Sequence, residues 1–196
     1  MTRKENAGLP QSPPPKAKRR PGPAPRFRRR TVLGRPLHRL PLSRPHRLGA
    51  DFRSVARFDE RLGWNTEIPG FAAVVGYLDD SPIGYAYGCT LQETTRWWSG
   101  LRTPAADGAT SETGARTFAL SELMVVEKVR GTGAARQIHD ELLQGRPEER
   151  VTLLVERDHP KVRALYEAWG YEWLGEVLPF PDAPLYDALV LPLVHR

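Results

Sequence analysis

One cysteine and two methionines in 196 residues is a scarcity that removes several kinds of protein at once. A lone Cys89 forms no intrachain disulfide and no thiolate metal cluster. Its setting inside an apolar run favours a small buried hydrophobe over a nucleophile. The five histidines, His38, His46, His139, His159 and His195, show no ligand spacing, so no metal is expected. No apolar run reaches 18 residues and no hydrophobic signal segment opens the chain, so a soluble, cytoplasmic protein with no membrane association is expected.

Acidic residues are nearly missing from the first quarter. Residues 1–48 hold Glu5 alone against 14 Lys and Arg, together with 10 of the 19 prolines. That leaves 15 of the 29 basic and 22 of the 23 acidic residues in 49–196, so a tail near +13 is joined to a body near −7. Proline density without periodic apolar residues predicts a disordered tail over 1–48 and one domain over 49–196. Clusters such as Lys16–Arg20 and Arg28–Arg30 fit a solvated tail or a nucleic-acid contact made through phosphates. Only Phe27 is interleaved for stacking, which favours the solvated reading.

Beyond the tail, Phe52, Val55, Phe58 and Leu62 recur at near-helical spacing and predict a helix ending at Gly63. Phe71–Leu78 and Ile83–Thr90 read as antiparallel strands around an Asp79-Asp80-Ser81-Pro82 turn. A long loop follows from Gln92 to Arg116, carrying Trp97 and Trp98. Phe118–Val126 is a third strand, and Ala135, Ile138 and Leu142 mark a helix running from the glycines to about Leu143. Val151–Val155 is a short strand, after which Pro160 takes its favoured place at a helix start. That helix presents Val162, Leu165, Tyr166 and Trp169 as its apolar face and stops at Gly170. Tyr171–Val177 and Leu185–Leu193 complete the set as strands.

The stretch with the most chemistry is Arg130-Gly131-Thr132-Gly133-Ala134-Ala135, set between a strand and a helix. Glycine lets the backbone approach a ligand closely, and the first amides of a helix have no internal partner, so they suit an anion such as a pyrophosphate.

This stretch resembles the pyrophosphate loop Gln/Arg-x-x-Gly-x-Gly/Ala of the GCN5-related N-acetyltransferase (GNAT) superfamily, with Arg130, Gly133 and Ala135 at its fixed positions. A second segment, Leu165-Tyr166-Glu167-Ala168-Trp169-Gly170-Tyr171, resembles that superfamily's Leu-Tyr-x-x-x-Gly-Phe motif. The resemblance covers about Phe52 to Leu193 and looks especially like an actinobacterial-type branch with a Trp-Trp loop. It implies an α/β GNAT fold with a central mixed, mostly antiparallel sheet, flanking helices and N-terminal elements that are degenerate. The first strand and helix of that fold belong within residues 1–50, where only Thr31-Val32-Leu33 offers a weak strand.

The resemblance also implies roles. The backbone of Leu123, Met124 and Val125 would pair with the pantetheine arm of acetyl-CoA and polarise its thioester. The amides of Gly131, Thr132, Gly133, Ala134, Ala135 and Arg136 would hold the pyrophosphate, with the Arg130 and Arg136 side chains reaching phosphate. His159 stands where an Asn often contacts the pantetheine. Glu122 is either a general base, favoured by desolvation on an apolar strand, or a solvent-facing carboxylate. Tyr166 is a proton donor to the leaving thiolate, a packing residue, or both. Trp97 and Trp98 either wall an acceptor pocket or pack the loop on the sheet.

The expected function is therefore acetyl transfer from acetyl-CoA, as co-substrate, to a primary amine of a small molecule or protein, directly within a ternary complex. A catalytically impaired acyl-CoA-binding module and a nucleic-acid-associated protein led by its tail are the alternatives. A homodimer is compatible with the resemblance.

Overall fold

The computed structural model describes residues 26–29 and 62–193. Its centre is a seven-stranded sheet in the order β1-β2-β3-β4-β5-β7-β6. The strands are β1 (Arg26–Arg29), β2 (Ala72–Leu78), β3 (Ser81–Thr90), β4 (Thr117–Val125), β5 (Arg150–Glu156), β6 (Glu172–Val177) and β7 (Tyr186–Pro192). Helices α1 (Ala134–Leu143) and α2 (Pro160–Ala168) connect β4 to β5 and β5 to β6. Every neighbouring pair is antiparallel except β4 and β5.

The expected hairpin forms with a tighter turn. Leu78 pairs with Ser81, so the loop is Asp79 and Asp80 alone, both at positive φ (48° and 62°). Two left-handed residues make a type I′ turn, whose twist matches the strands it joins. β1 lies within the segment expected to be tail. It pairs with Val74–Tyr77 of β2 and so takes the sheet edge that the sequence left open. Thr31–Leu33 and most of the helix expected over 52–62 lie outside the described residues. The described part of that helix runs over 62–66 and continues past Gly63, the expected stop.

One face of the sheet carries the main core. Val74, Ala86, Phe118, Leu120, Val151, Leu153 and Leu189 meet Ile138 and Leu142 of α1 and Tyr166 of α2. On α1 the buried positions are Ala134, Ile138, His139 and Leu142, so Ala134 rather than Ala135 faces inward. α2 differs more. Only Tyr166 is buried, whereas Val162 and Leu165 are 42% and 45% exposed. The helix is turned so that Arg163 and Tyr166, three residues apart and hence on one side, face the sheet. The Arg163 guanidinium reaches buried Asp187 on β7 at 3.1 Å. An ion pair thus overrides the apolar stripe.

Candidate functional site

β4 has nine residues and β5 seven, yet they pair only over Thr117–Ala119 with Arg150–Thr152. Beyond that point each strand follows its other neighbour and the two splay apart. The parting coincides with a β-bulge: Tyr87 faces Glu122 and Gly88 faces Leu120, so Ser121 is the extra residue. A bulge bends its strand and re-aims the residues beyond it. Gly88 is required opposite it, because a Cβ there would come within 2.1 Å of the Ala119 carbonyl oxygen. Residues 117–120 are buried and 121–125 are half-buried, so the apolar strand read from the sequence opens where the gap begins.

Backbone direction along the gap comes from the ladder. The Val126 N–H donates to the Ile83 oxygen at 2.8 Å, one position beyond the Gly84–Val125 pair. Bonded and non-bonded pairs alternate in an antiparallel ladder. Glu122 and Met124 therefore turn their backbone groups to β3, while Leu123 and Val125 turn theirs to the gap. Of the three residues expected to pair with pantetheine, Met124 is thus aimed elsewhere, its sulfur 3.5 Å from the Tyr85 hydroxyl.

At the mouth, β4 leads through a 3-10 turn (Glu127–Val129) into the glycine loop. Gly131 and Gly133 have φ of 74° and 87°. Nothing crowds either position, so the requirement for glycine is conformational. Thr132 closes the loop on itself, its hydroxyl donating to the Val129 oxygen at 2.7 Å. Gln137 is the first residue whose amide finds the helix, bonding the Gly133 oxygen at 3.1 Å. The amides of Ala134, Ala135 and Arg136 precede it, with Gly133 at the N-cap and no side chain over the end. Arg130 is exposed at the loop's entrance. Arg136 lies along α1, 2.8 Å from Asp140 and 5.3 Å above the Trp169 ring.

The other βα junction is built differently. His159 caps α2 by position only, without a side-chain bond, and Pro160 at the first turn has no N–H to offer. The His159 ring is half exposed and sits 3.7 Å from Glu156. Of the two helix starts, only that of α1 presents a bare run of donors.

Tyr166 is 9% exposed, its ring edge-on to Trp169 (5.2 Å) and Tyr171 (5.4 Å). Burial pushes the phenol well above its ordinary range, and the Glu122 charge adds to the rise. Glu122 is half-buried. Next to it, the Ser121 hydroxyl donates to Asn65 Oδ1 at 2.9 Å, and the Cys89 thiol approaches the same oxygen at 3.2 Å. Burial raises that thiol to about 11, with Arg146 opposing. Cys89 therefore stays protonated at neutral pH and serves as a packed side chain.

Trp98 lies at the closed end of the gap. It is buried with Leu91, Ala119, Val177 and Ala188, and its indole N–H donates to Glu112 at 3.0 Å. The same carboxylate oxygen accepts from Thr117 (2.9 Å) and Arg150 (3.1 Å). The tryptophan thus fastens the long loop to the base of β4 and β5. Trp97 packs edge-on against it at 6.4 Å, half-buried, with its Nε1 lacking a partner among the described residues. The structure packs Leu123, Val125 and Tyr166 in one cluster and sets Val125 against Ala134 at the end of the glycine loop. It leaves Glu122 on the β4 face shared with Met124, and places the tryptophan pair at the other end. Sequence reasoning missed His139 and Tyr171, which join beneath Tyr166. Their signal was weak: a histidine among helical apolar positions.

Among the described residues no cluster of His, Cys, Asp and Glu could hold a metal, and no helix is long and apolar enough to cross a membrane. No protein-family model and no curated protein sequence matches the chain. Solved structures do. A protein assigned to the GNAT family of acetyltransferases from Desulfovibrio desulfuricans superposes with a TM-score of 0.56 at 20% identity, over 86% of this chain and 99% of that one. A GNAT family acetyltransferase from Elizabethkingia anophelis, solved with acetyl-CoA bound, gives 0.54 at 11% identity, over 86% and 98%. The chain has the fold of the GNAT acetyltransferases.

Proposed function

We propose that the protein is an N-acetyltransferase that moves an acetyl group from acetyl-CoA to a primary amine within a ternary complex. The observation that carries this reading is the β4/β5 gap with the uncapped amide end of α1 at its mouth. One element offers an extended row of backbone donors and acceptors, and the other offers a cluster of N–H groups at the positive end of a helix dipole. That pairing suits a ligand with a linear amide arm attached to a diphosphate. The backbone of Leu123 and Val125 binds the arm and donates to the thioester oxygen as it gains charge. The amides of Gly133–Arg136 hold the diphosphate, and Arg130 and Arg136 supply positive charge beside it.

The incoming amine attacks the thioester carbon, the carbon–sulfur bond breaks, and an amide and a thiolate are left. Glu122 takes the proton that the amine loses. Tyr166 remains protonated because burial opposes its ionisation, and it meets the thiolate as a donor. The same burial raises the thiolate's affinity for a proton, so transfer from a buried phenol is not opposed by the phenol's own rise. A body near −7 favours a cationic acceptor, whether a small amine or a protein amine.

Calorimetric titration of acetyl-CoA into the parent and into Gly133→Glu tests the donor site. Micromolar binding by the parent and none by the folded variant is expected, since the new carboxylate stands where the diphosphate would. Equal binding by both would overturn the site. Binding without turnover across a panel of amines would reduce the protein to an acyl-CoA-binding module.

A further inference from the structure

The Tyr166 hydroxyl has no hydrogen bond of its own among the described residues. Its position is set through its ring, by edge contacts with Trp169 and Tyr171. All three belong to one local segment, so something outside that segment must anchor it. His139 on α1 does so. It is 1% exposed, its Nε2 lies 2.8 Å from the Tyr171 hydroxyl, and its ring packs on Trp169 at 4.9 Å.

The orientation of this bond is determined by the neighbouring one. Asp140 Oδ1 lies 2.9 Å from His139 Nδ1 and, as a carboxylate, only accepts. Nδ1 therefore carries the proton in the neutral ring, and Nε2 is left to accept from the Tyr171 O–H. Burial, the larger influence, depresses the imidazole's affinity for a second proton against the pull of Asp140. The acceptor thus persists at neutral pH.

We infer that His139 is a positioning residue for Tyr166: by accepting the Tyr171 hydroxyl it locks Tyr171, and Tyr171 holds the Tyr166 ring at the β4/β5 gap. The inference rests on the proposed acetyl transfer for its kinetic consequence, but not for its structural one. It is tested on protein labelled with 13C at tyrosine Cζ, with the Tyr166 resonance assigned from Tyr166→Phe. Three variants are compared. Tyr171→Phe keeps the ring and removes the donor, His139→Leu removes the acceptor, and His139→Gln offers an acceptor oxygen in its place.

Tyr171→Phe and His139→Leu should shift or broaden the Tyr166 resonance and lower kcat about tenfold, with KM for acetyl-CoA within twofold. His139→Gln should stay near the parent in both. An unmoved Tyr166 resonance in folded Tyr171→Phe overturns the inference, as does a resonance that moves equally in His139→Gln and His139→Leu. If the parent turns over no amine, the enzyme reading fails and the resonance alone decides the positioning role. Should His139→Leu fail to fold, Tyr171→Phe decides, because it leaves the packing intact.

Discussion

At its closed end the β4/β5 gap is fastened by buried charge, and at its open end the same two strands are lined by aromatic rings and bare backbone. Arg150 and Glu112, with Thr117 and Trp98, clamp the last paired residues. Beside them Arg146 pairs with Glu148, which is 1% exposed and also accepts from Thr90 at 2.6 Å. Burial pushes the Glu148 carboxyl up, but the Arg146 guanidinium and the Thr90 hydroxyl outweigh it and hold it below the ordinary range. At the mouth, by contrast, the exposed loop is closed only by the Thr132 hydroxyl and amide, both donating to the Val129 oxygen. That bond takes the Thr132 N–H out of the set expected to hold the pyrophosphate, and the amides behind it are uncapped. The difference teaches that rigidity and ligand chemistry have been assigned to opposite ends of one pair of strands. Charge-assisted hydrogen bonds converging on Glu112 Oε1 keep the base shut, and unsatisfied donors make the mouth a site.

The contrast breaks most readily at the base. Glu148→Ala leaves the Arg146 guanidinium largely buried without its partner and should cost about 3–5 kcal/mol. Denaturant or thermal unfolding would show this as a fall of about 10 °C or more in Tm. A variant within about 1 °C of the parent would mean that the base is not held by charge. At the mouth, Tyr166→Phe should lower kcat about a hundredfold, equivalent to about 2.7 kcal/mol of barrier. Its Tm should stay close to that of the parent, since the ring is kept. Loss of Tm with unchanged kcat would reverse the assignment.

Finer effects separate the two tryptophans. Trp98→Phe removes a buried donor from Glu112 and should cost about 1–2 kcal/mol. Trp97→Phe removes a buried N–H without a partner among the described residues, so unfolding should show it near neutral. A larger cost for Trp97 would reveal a partner for its indole. The smallest effect concerns His139. Its affinity for protons is lower in the folded protein than in the unfolded chain, so below about 6.5 the unfolded state binds more protons. Stability should therefore decline as pH falls from about 6.5 towards the depressed folded value, and His139→Gln should flatten that decline in pH-dependent unfolding.

Much of the fold was legible. The two strands around Asp79-Asp80, the strand before the glycines, the helix after them, and Pro160 at the start of α2 all rest on local patterns, and local geometry obeys them. The stripe on α2 misled, because Val162 and Leu165 are apolar but the rotation of the helix answers to Arg163 and a buried aspartate on a strand 24 residues away. The bulge at Ser121 could not be read either. An inserted residue becomes visible only against the strand it pairs with, and it is what lets Phe118 and Leu120, and then Leu123 and Val125, share one face.

By itself the sequence determined the elements from β2 onward, the glycine loop and the tyrosine motif, because backbone preference and hydrophobic period act over a few residues, whereas β1 exists only as a partner of β2. Only the tertiary structure decided where β4 and β5 part, that Leu123 and Val125 rather than Met124 address the gap, that Trp98 clamps the base, and that His139 stands behind Tyr171. Those outcomes depend on register and on contacts between residues far apart in the chain, and no local preference encodes them.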